Sequence, residues 1–474
     1  MSRTCLPQIL PFLAVIAALL ALPNSASAML VGAESNGALA NSDRTPALQA
    51  AALNRMQAQG VQIVRVNFGW SELAANCGGR RTLASLKAHT NPCYNWAVLD
   101  SLVTLTKARK MTLLLSTSRA PRWLHGRADE YYLGATPTQF RKTVLHYAAF
   151  LSAAGTRYGA NSSFGTIKYW TIWNEPNSDT FFKPMVSKAA KQRRQVYYAD
   201  VYARKYAQMY GAAAVALRLA HRTAQIAPGP TGPNSFHKPA LYIAAFQKYA
   251  PLYLPKRNPR SYINAWAHNP YPGNTTAPLN PRAFSDPNAI GMGSMSKLFR
   301  ILDSKPLTRG LKVWGTEFGW QTPPETNPAL VVSMGAQAQY LAEAYDLLSR
   351  TNRVPIAIWY GLQDPPGSAD WQSGTFGSNG VAKPSFYMYQ RMISVPKSKV
   401  KRGSRVAIWG RSTINQTKGV LVYRRGAAGQ WYTVPGQRRA ADGSIKATLT
   451  ISSAITQFAL YDGKYGYYRQ VTGT

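Results

Sequence analysis

Between Met29 and about Ile393, short apolar runs alternate with longer stretches whose apolar residues recur at helical spacing. The strand candidates are Leu30–Ala33, Gln62–Phe68, Thr112–Ser116, Ile167–Trp173, Ala224–Ala227, Ile263–Ala267, Leu311–Gly315 and Pro355–Tyr360. Helices are expected at Pro46–Met56, Trp96–Lys110, Pro137–Tyr158, Arg194–Arg218, Met295–Ser304 and Gln337–Arg350. Leu102, Val103, Leu105 and Ala108 carry the helical period well. About eight strand–helix units in a span of this size predict a (β/α)8 TIM barrel of the α/β class. The alternative is a doubly wound open sheet, but no glycine-rich dinucleotide turn follows the first strand.

Beyond a basic Val395–Val400 segment the period changes to two. Apolar and polar residues alternate strictly over Ile445–Ile451. Val406–Trp409, Val420–Tyr423 and Thr456–Tyr461 are further short strands, separated by the turn signals Arg425-Gly426, Ala428-Gly429 and Asp442-Gly443. A small all-β sandwich is expected. The resulting division is a signal at residues 1–28, a barrel at 29–394, a linker at 395–400 and a sandwich at 401–474.

The first residues read as an export signal. Arg3 precedes the apolar run Ile9–Leu22, and Ala26-Ser27-Ala28 is a small-x-small cleavage site. The run is short for a bilayer span, and no later stretch is long and apolar enough to be one. The mature chain is therefore expected as a monomer in the secreted, extracellular or cell-envelope space. Cleavage removes Cys5 and leaves Cys77 and Cys93, for which one disulfide across a surface loop is expected. The two cysteines are too far apart for a usual zinc pair, so no metal site is implied.

Charge changes the picture most. The chain has 55 basic and 19 acidic residues, a formal net charge of +36. Such an imbalance attracts polyanions. For an exported protein an anionic polysaccharide or envelope polymer is the natural candidate, with a solvated basic surface as the bland alternative. Lys397–Thr474 alone holds 14 Lys/Arg and 2 Asp/Glu, about +12.

Catalytic groups of a (β/α)8 barrel sit at the C-terminal ends of its strands. Of the seven glutamates, Glu34, Glu72, Glu175 and Glu317 all follow strands, so position alone does not select among them. Local context does. Trp170-Thr171-Ile172-Trp173 runs into Asn174-Glu175-Pro176-Asn177, and aromatic walls favour a protonated carboxyl. Val313-Trp314-Gly315-Thr316 likewise delivers Glu317 into Phe318-Gly319-Trp320. No P-loop, HExxH helix or GxSxG elbow is present, and no cofactor is implied.

The "WNEPN" and "TEFGW" motifs resemble the two catalytic motifs of clan A retaining glycoside hydrolases, most of all family 39 and the cellulase-type family 5. The resemblance covers the barrel. It implies Glu175 as acid/base, Glu317 as nucleophile, and Asn174 as the partner of the sugar 2-hydroxyl. It places an arginine beside the nucleophile, for which Arg65 in Val64-Arg65-Val66-Asn67 is the candidate. His268 and Tyr271 stand where the clan has a His and a Tyr, although Asn269-Pro270 between them departs from the usual spacing. Trp359 resembles the clan's sugar-stacking tryptophan, and Trp123 and Trp70 are candidates for outer subsites. The C-terminal module loosely resembles bacterial immunoglobulin-like domains, through its Gly429-Gln430-Trp431 turn and Asp442-Gly443-Ser444 hairpin. The implied activity is hydrolysis of O-glycosidic bonds in a poly- or oligosaccharide. The competing readings are a non-catalytic glycan-binding protein on a hydrolase scaffold and a polyanion-binding envelope protein. No nucleic-acid motif supports a specific nucleic-acid partner.

Overall fold

In the computed structural model, residues 28–474 are described except 42, 80, 185–194, 274, 326, 328–330 and 368–370. The expected export signal lies outside them apart from Ala28.

Each expected apolar run becomes a strand: β1 (Leu30–Glu34), β2 (Ile63–Gly69), β3 (Thr112–Ser118), β4 (Tyr169–Ile172), β5 (Gln225–Pro228), β6 (Ala265–His268), β7 (Lys312–Phe318) and β8 (Ile356–Tyr360). A helix follows each strand, in order Pro46–Ala58, Ala97–Ala108, Pro137–Arg157, Gln195–Ala220, Pro239–Tyr253, Met295–Asp303, Met334–Ser349 and Pro384–Gln390. Local chemistry sets the helix starts. Thr45 and Thr136 cap their helices with the side-chain oxygen, each with proline at the first helical position, and Thr136 with Gln139 forms a capping box. The helix Pro239–Tyr253 has no counterpart in the sequence expectation. Its Pro239 and Pro251 read as turn signals, yet one occupies the tolerant first position and the other the last turn.

The eight strands form one parallel sheet in the order β5-β4-β3-β2-β1-β8-β7-β6. Side chains and loop backbone stitch β5 to β6. The Asn264 amide nitrogen donates to the Ile226 carbonyl at 2.8 Å, and the Ile226 N–H donates to Asn264 Oδ1 at 2.8 Å. Above them, Thr231 and Asn269 continue the seam through backbone bonds.

Period two sorts the barrel interior into layers. Ile63, Leu114, Trp314, Ile356 and Ile358 fill the lower interior with apolar volume. Two residues further along, β2 offers Arg65 and β3 offers Ser116, both fully buried. Gly32 belongs to the filled layer, where a Cβ would meet the Ile358 side chain at 2.2 Å. The interior is thus sealed below and polar at the C-terminal mouth.

The C-terminal region is two sheets, β10-β17-β16-β12-β13 and β14-β15-β11-β9. Their strands are β9 (Arg391–Ser394), β10 (Lys399–Val400), β11 (Arg405–Ser412), β12 (Val420–Arg425), β13 (Tyr432–Thr433), β14 (Arg438–Arg439), β15 (Ile445–Thr450), β16 (Ile455–Tyr461) and β17 (Arg469–Gly473). Pairing is antiparallel except between β10 and β17. The strands reach past the expected boundaries. β9 pairs with β11 ahead of the linker, and β10 lies within it. Arg391 follows the helix Pro384–Gln390 without a break, so no change of period marks the start of β9. The sandwich is docked on the barrel. Thr413 Oγ1 donates to the Gln59 carbonyl at 2.6 Å, and Ser394 Oγ donates to Asp346 at 3.0 Å.

Candidate active site

The chain turns sharply after β4. Trp173 and Glu175 both take left-handed backbone, with φ of 72° and 38°. For residues other than glycine this costs about 1–3 kcal/mol each and persists only where the surroundings enforce it. They do so here. The Trp173 N–H donates to the Tyr147 hydroxyl at 3.2 Å, and its carbonyl accepts from Ser116 Oγ at 3.2 Å. Asn177 exchanges bonds with Gly232, donating to its carbonyl at 3.1 Å and accepting from its N–H at 2.9 Å. Gly232 then backs the Glu175 carboxyl so closely that a Cβ there would sit 2.9 Å from Cδ.

On β7 a bulge delivers the second glutamate. Gly315 pairs with Ala357 and Phe318 with Trp359, so three steps on β7 match two on β8. The extra residue breaks strict alternation, which lets Thr316 and Glu317 both face the barrel mouth. Thr316 Oγ1 donates to Asn269 Oδ1 at 2.7 Å. Glu317, 8% exposed, accepts from Arg65 Nη1 and, at 3.2 Å, from the Tyr271 hydroxyl.

Arg65 is the hub. The expected contact with Glu317 is present, but the same Nη1 also donates to Glu34, a glutamate that sequence context passed over. Its Nη2 donates to Asn174 Oδ1 at 3.0 Å. Glu34 is 1% exposed and accepts a further bond from Asn36 Nδ2 at 2.6 Å. Burial pushes its carboxyl up to about 8, against the pull of Arg65. The two carboxylates in turn hold the Arg65 guanidinium well above its ordinary value, outweighing its burial.

The two motif glutamates are cross-tethered. Glu317 is linked through Arg65 to Asn174, the neighbour of Glu175. Glu175 accepts from Asn269 Nδ2 at 2.8 Å, and Asn269 is linked to Thr316, the neighbour of Glu317. The other strand-end glutamates have cations: Glu34 and Glu317 share Arg65, and Glu72 takes Arg119 at 2.8 Å. Among the described residues Glu175 has none within ion-pair distance. Burial, then the charge of Glu317, raise its carboxyl to about 7, against the smaller opposing effects of Asn269 and Arg65.

The remaining expected residues divide. Tyr271 is at the site through Glu317, and the unusual spacing before it supplies Asn269, which sequence reasoning did not select. His268 is not. Its ring is fully buried between Thr231 Oγ1 at 2.8 Å and the Ile290 carbonyl at 2.9 Å, and burial lowers it to about 4. Trp359 has no open face for a sugar. It is fully buried against Trp320 and Phe318, with Nε1 on the Ser373 carbonyl. Trp70 is core as well, packed on Tyr147 and Phe150. Trp359 lies within β8 and Trp70 directly after β2, both with the ring packed in the core, so their aromatic character served packing. Trp123 is half-buried beside the loop closed by the Cys77–Cys93 disulfide, with Nε1 on the Ala74 carbonyl at 2.7 Å. The open aromatic at the site is Trp371, 38% exposed and edge-on to Tyr271 at 5.4 Å. It stands in a loop where no periodicity could mark it.

No protein-family model matches the chain, and no curated protein matches its sequence. Solved structures do match in fold. A β-galactosidase from the psychrophilic Marinomonas ef1 aligns with TM-score 0.50 at 11% identity, covering 76% of this chain and 58% of that one. A calcium-binding mutant of Bacteroides uniformis β-glucuronidase 2 aligns with TM-score 0.48 at 11% identity, over 94% of this chain and 45% of that one. A Paenibacillus polymyxa xyloglucanase from glycoside hydrolase family 44, solved with xyloglucan, aligns with TM-score 0.46 at 10% identity, over 94% and 97%. The chain spans about half the length of the first two of these proteins. At these identities the likeness is one of fold.

Proposed function

We propose that this chain is a glycosidase that cleaves O-glycosidic bonds with retention of configuration, with Glu317 as nucleophile and Glu175 as acid/base. One observation carries the reading: two glutamates, one just after β4 and one on β7, are tethered to each other's neighbours, yet sit in opposite electrostatic settings. Glu317 accepts from a guanidinium and a phenol, the surroundings of a carboxylate. Among the described residues Glu175 has no ion-pair cation, and it holds its proton up to about pH 7, as a general acid requires.

In the first step a Glu317 carboxylate oxygen attacks the anomeric carbon while Glu175 gives its proton to the departing oxygen. Glu317 is then an ester, and the repulsion that added to burial in raising Glu175 is gone. Glu175 therefore becomes a better base, takes a proton from water, and the water displaces Glu317. Asn174 spends its Oδ1 on Arg65, which leaves its NH2 to donate to a sugar 2-hydroxyl. Trp371 offers a ring face to a pyranose at the rim. The likeness to family 39 and cellulase-type enzymes fits this arrangement. With the export signal at residues 1–28, the substrate is a carbohydrate polymer met outside the cell or in the envelope, and the immunoglobulin-like sandwich is an accessory module of a monomeric enzyme.

The test is a glycan panel with products followed by NMR. The expected first product keeps the anomeric configuration, and Glu175→Gln and Glu317→Ala each lower turnover by at least ~10³-fold. An inverted first product, or undiminished turnover in Glu175→Gln, would sink the assignment.

A further inference from the structure

The sheet β14-β15-β11-β9 carries a groove of about 410 Å³ lined by Arg350, Arg405, Ala407, Arg438, Lys446 and Thr448 among others. It lies away from the barrel mouth, on the sandwich and the adjoining helix end. Arg350 is neutralised by Asp346, through bonds of 2.6 and 2.8 Å. Arg405, Arg438 and Lys446 have no acidic partner among the described residues. Arg438 and Lys446 are moreover direct cross-strand partners on β14 and β15. Like charges placed directly opposite destabilise a sheet, so this pairing carries a modest cost that an anion lying between them would relieve. The floor is made of small residues, Ala407 and Thr448, which sit opposite each other in the β11–β15 register. It is open and flanked by cations.

We infer that this groove binds an acidic polysaccharide, with Arg405, Arg438 and Lys446 meeting its carboxylate groups. Arginine matches a carboxylate through two parallel N–H bonds, and lysine supplies a point charge. Nucleic acid fits less well. Single strands are held by stacking bases on aromatic rings, and no ring lines this groove. Duplexes are read by a helix or ribbon that enters the groove of the DNA, whereas this surface is itself concave. The net charge of +36 favours any polyanion at long range, and the groove gives that attraction a place to dock. The choice of a glycan over other carboxylate polymers rests on the glycosidase reading; the anion site does not.

Affinity electrophoresis of the full chain tests this, in a Glu317→Ala background so that no turnover enters. The probe is polygalacturonate, with neutral dextran and duplex DNA as comparisons. Retardation by polygalacturonate, weakening with salt, is expected. Arg405→Gln/Arg438→Gln/Lys446→Gln should lose at least ~10-fold in affinity and flatten the salt dependence by about two to three ions. The swap Arg405→Lys/Arg438→Lys/Lys446→Arg should keep the binding within a few-fold. Parent-like affinity in a folded triple variant overturns the site. Equal retardation by dextran overturns the class of ligand, and tighter binding of DNA through the same three residues replaces the glycan by nucleic acid. If the triple variant does not fold, Lys446→Gln alone decides: reduced retardation supports the groove and unchanged retardation removes it. Because binding is read without catalysis, failure here leaves the glycosidase reading standing, whereas failure of that reading removes the reason for choosing a glycan and leaves the anion site.

Discussion

At the barrel mouth two carboxyl groups share one guanidinium; on the sandwich, two cations face each other with no acidic partner among the described residues. Both arrangements are costly by themselves, and they differ in what offsets the cost. Arg65, Glu34 and Glu317 are buried, and their mutual bonds, with those to Asn36, Tyr271 and Asn174, make them tolerable. Arg438 and Lys446 are exposed, and water screens them. Buried charge is therefore bound up with the fold, whereas exposed charge of one sign is left available to a partner.

This contrast can be pressed at four points, in order of expected effect. On a small soluble glycoside that reaches only the barrel mouth, Glu317→Ala should lower kcat/KM by at least ~10³-fold while the sandwich triple variant leaves it unchanged. If both fall together, the two regions are not independent. Second, Arg65→Met should cost about 3–5 kcal/mol in denaturant unfolding, because it leaves the buried Glu317 and Glu34 carboxyl groups without the guanidinium they share. Lys446→Thr should instead raise stability by about 0.2–1 kcal/mol by removing the cross-strand repulsion. Opposite signs are the signature of the comparison.

Third, Glu34 titrates near 8 in the folded chain, above its unfolded value. The folded state then binds the proton more tightly, so the stability owed to Glu34 is complete at low pH and is lost as pH rises toward 8. The thermal unfolding midpoint of Glu34→Gln, relative to the parent, should climb between pH 5 and pH 8; a flat difference would show that Glu34 stays ionised throughout. The smallest effect concerns Asn269. Its bond favours the charged form of Glu175, so Asn269→Ala should move the alkaline limb of kcat/KM, expected near pH 7, to higher pH. Movement to lower pH would contradict the bond's direction.

The repeating strand–helix pattern was legible because period is a local property. All eight barrel strands fall within a few residues of their apolar runs, and the disulfide follows from a count of two cysteines. Glu175, just after β4, and Glu317, on β7, could be picked out by the aromatic residues around them, and the structure joins both in one hydrogen-bond network. Glu34 was not, because its importance comes from Arg65 on the next strand and not from its own neighbours in sequence. The bulge at Glu317 was equally hidden, since an extra residue is defined only against the partner strand. Trp359 and Trp70 mark the opposite failure: a large aromatic in a strand says that much area will be buried, and is silent on whether protein or sugar will bury it. His268 shows the same ambiguity for a polar ring.

The seam between β5 and β6 gives the barrel something like a clasp. Elsewhere the ring of strands is fastened by ladders of paired backbone, but here the join depends on the Asn264 side chain and on loop residues just above it. The seat of Glu175 straddles that clasp, with Gly232 from the β5 side at its back and Asn269 from the β6 side on its oxygen. A ring strained open at this point would flood the Glu175 carboxyl with water before any other residue of the site had moved. Its proton affinity would drop toward that of an ordinary glutamate, so the protonation of Glu175 is a gauge of whether the barrel is shut.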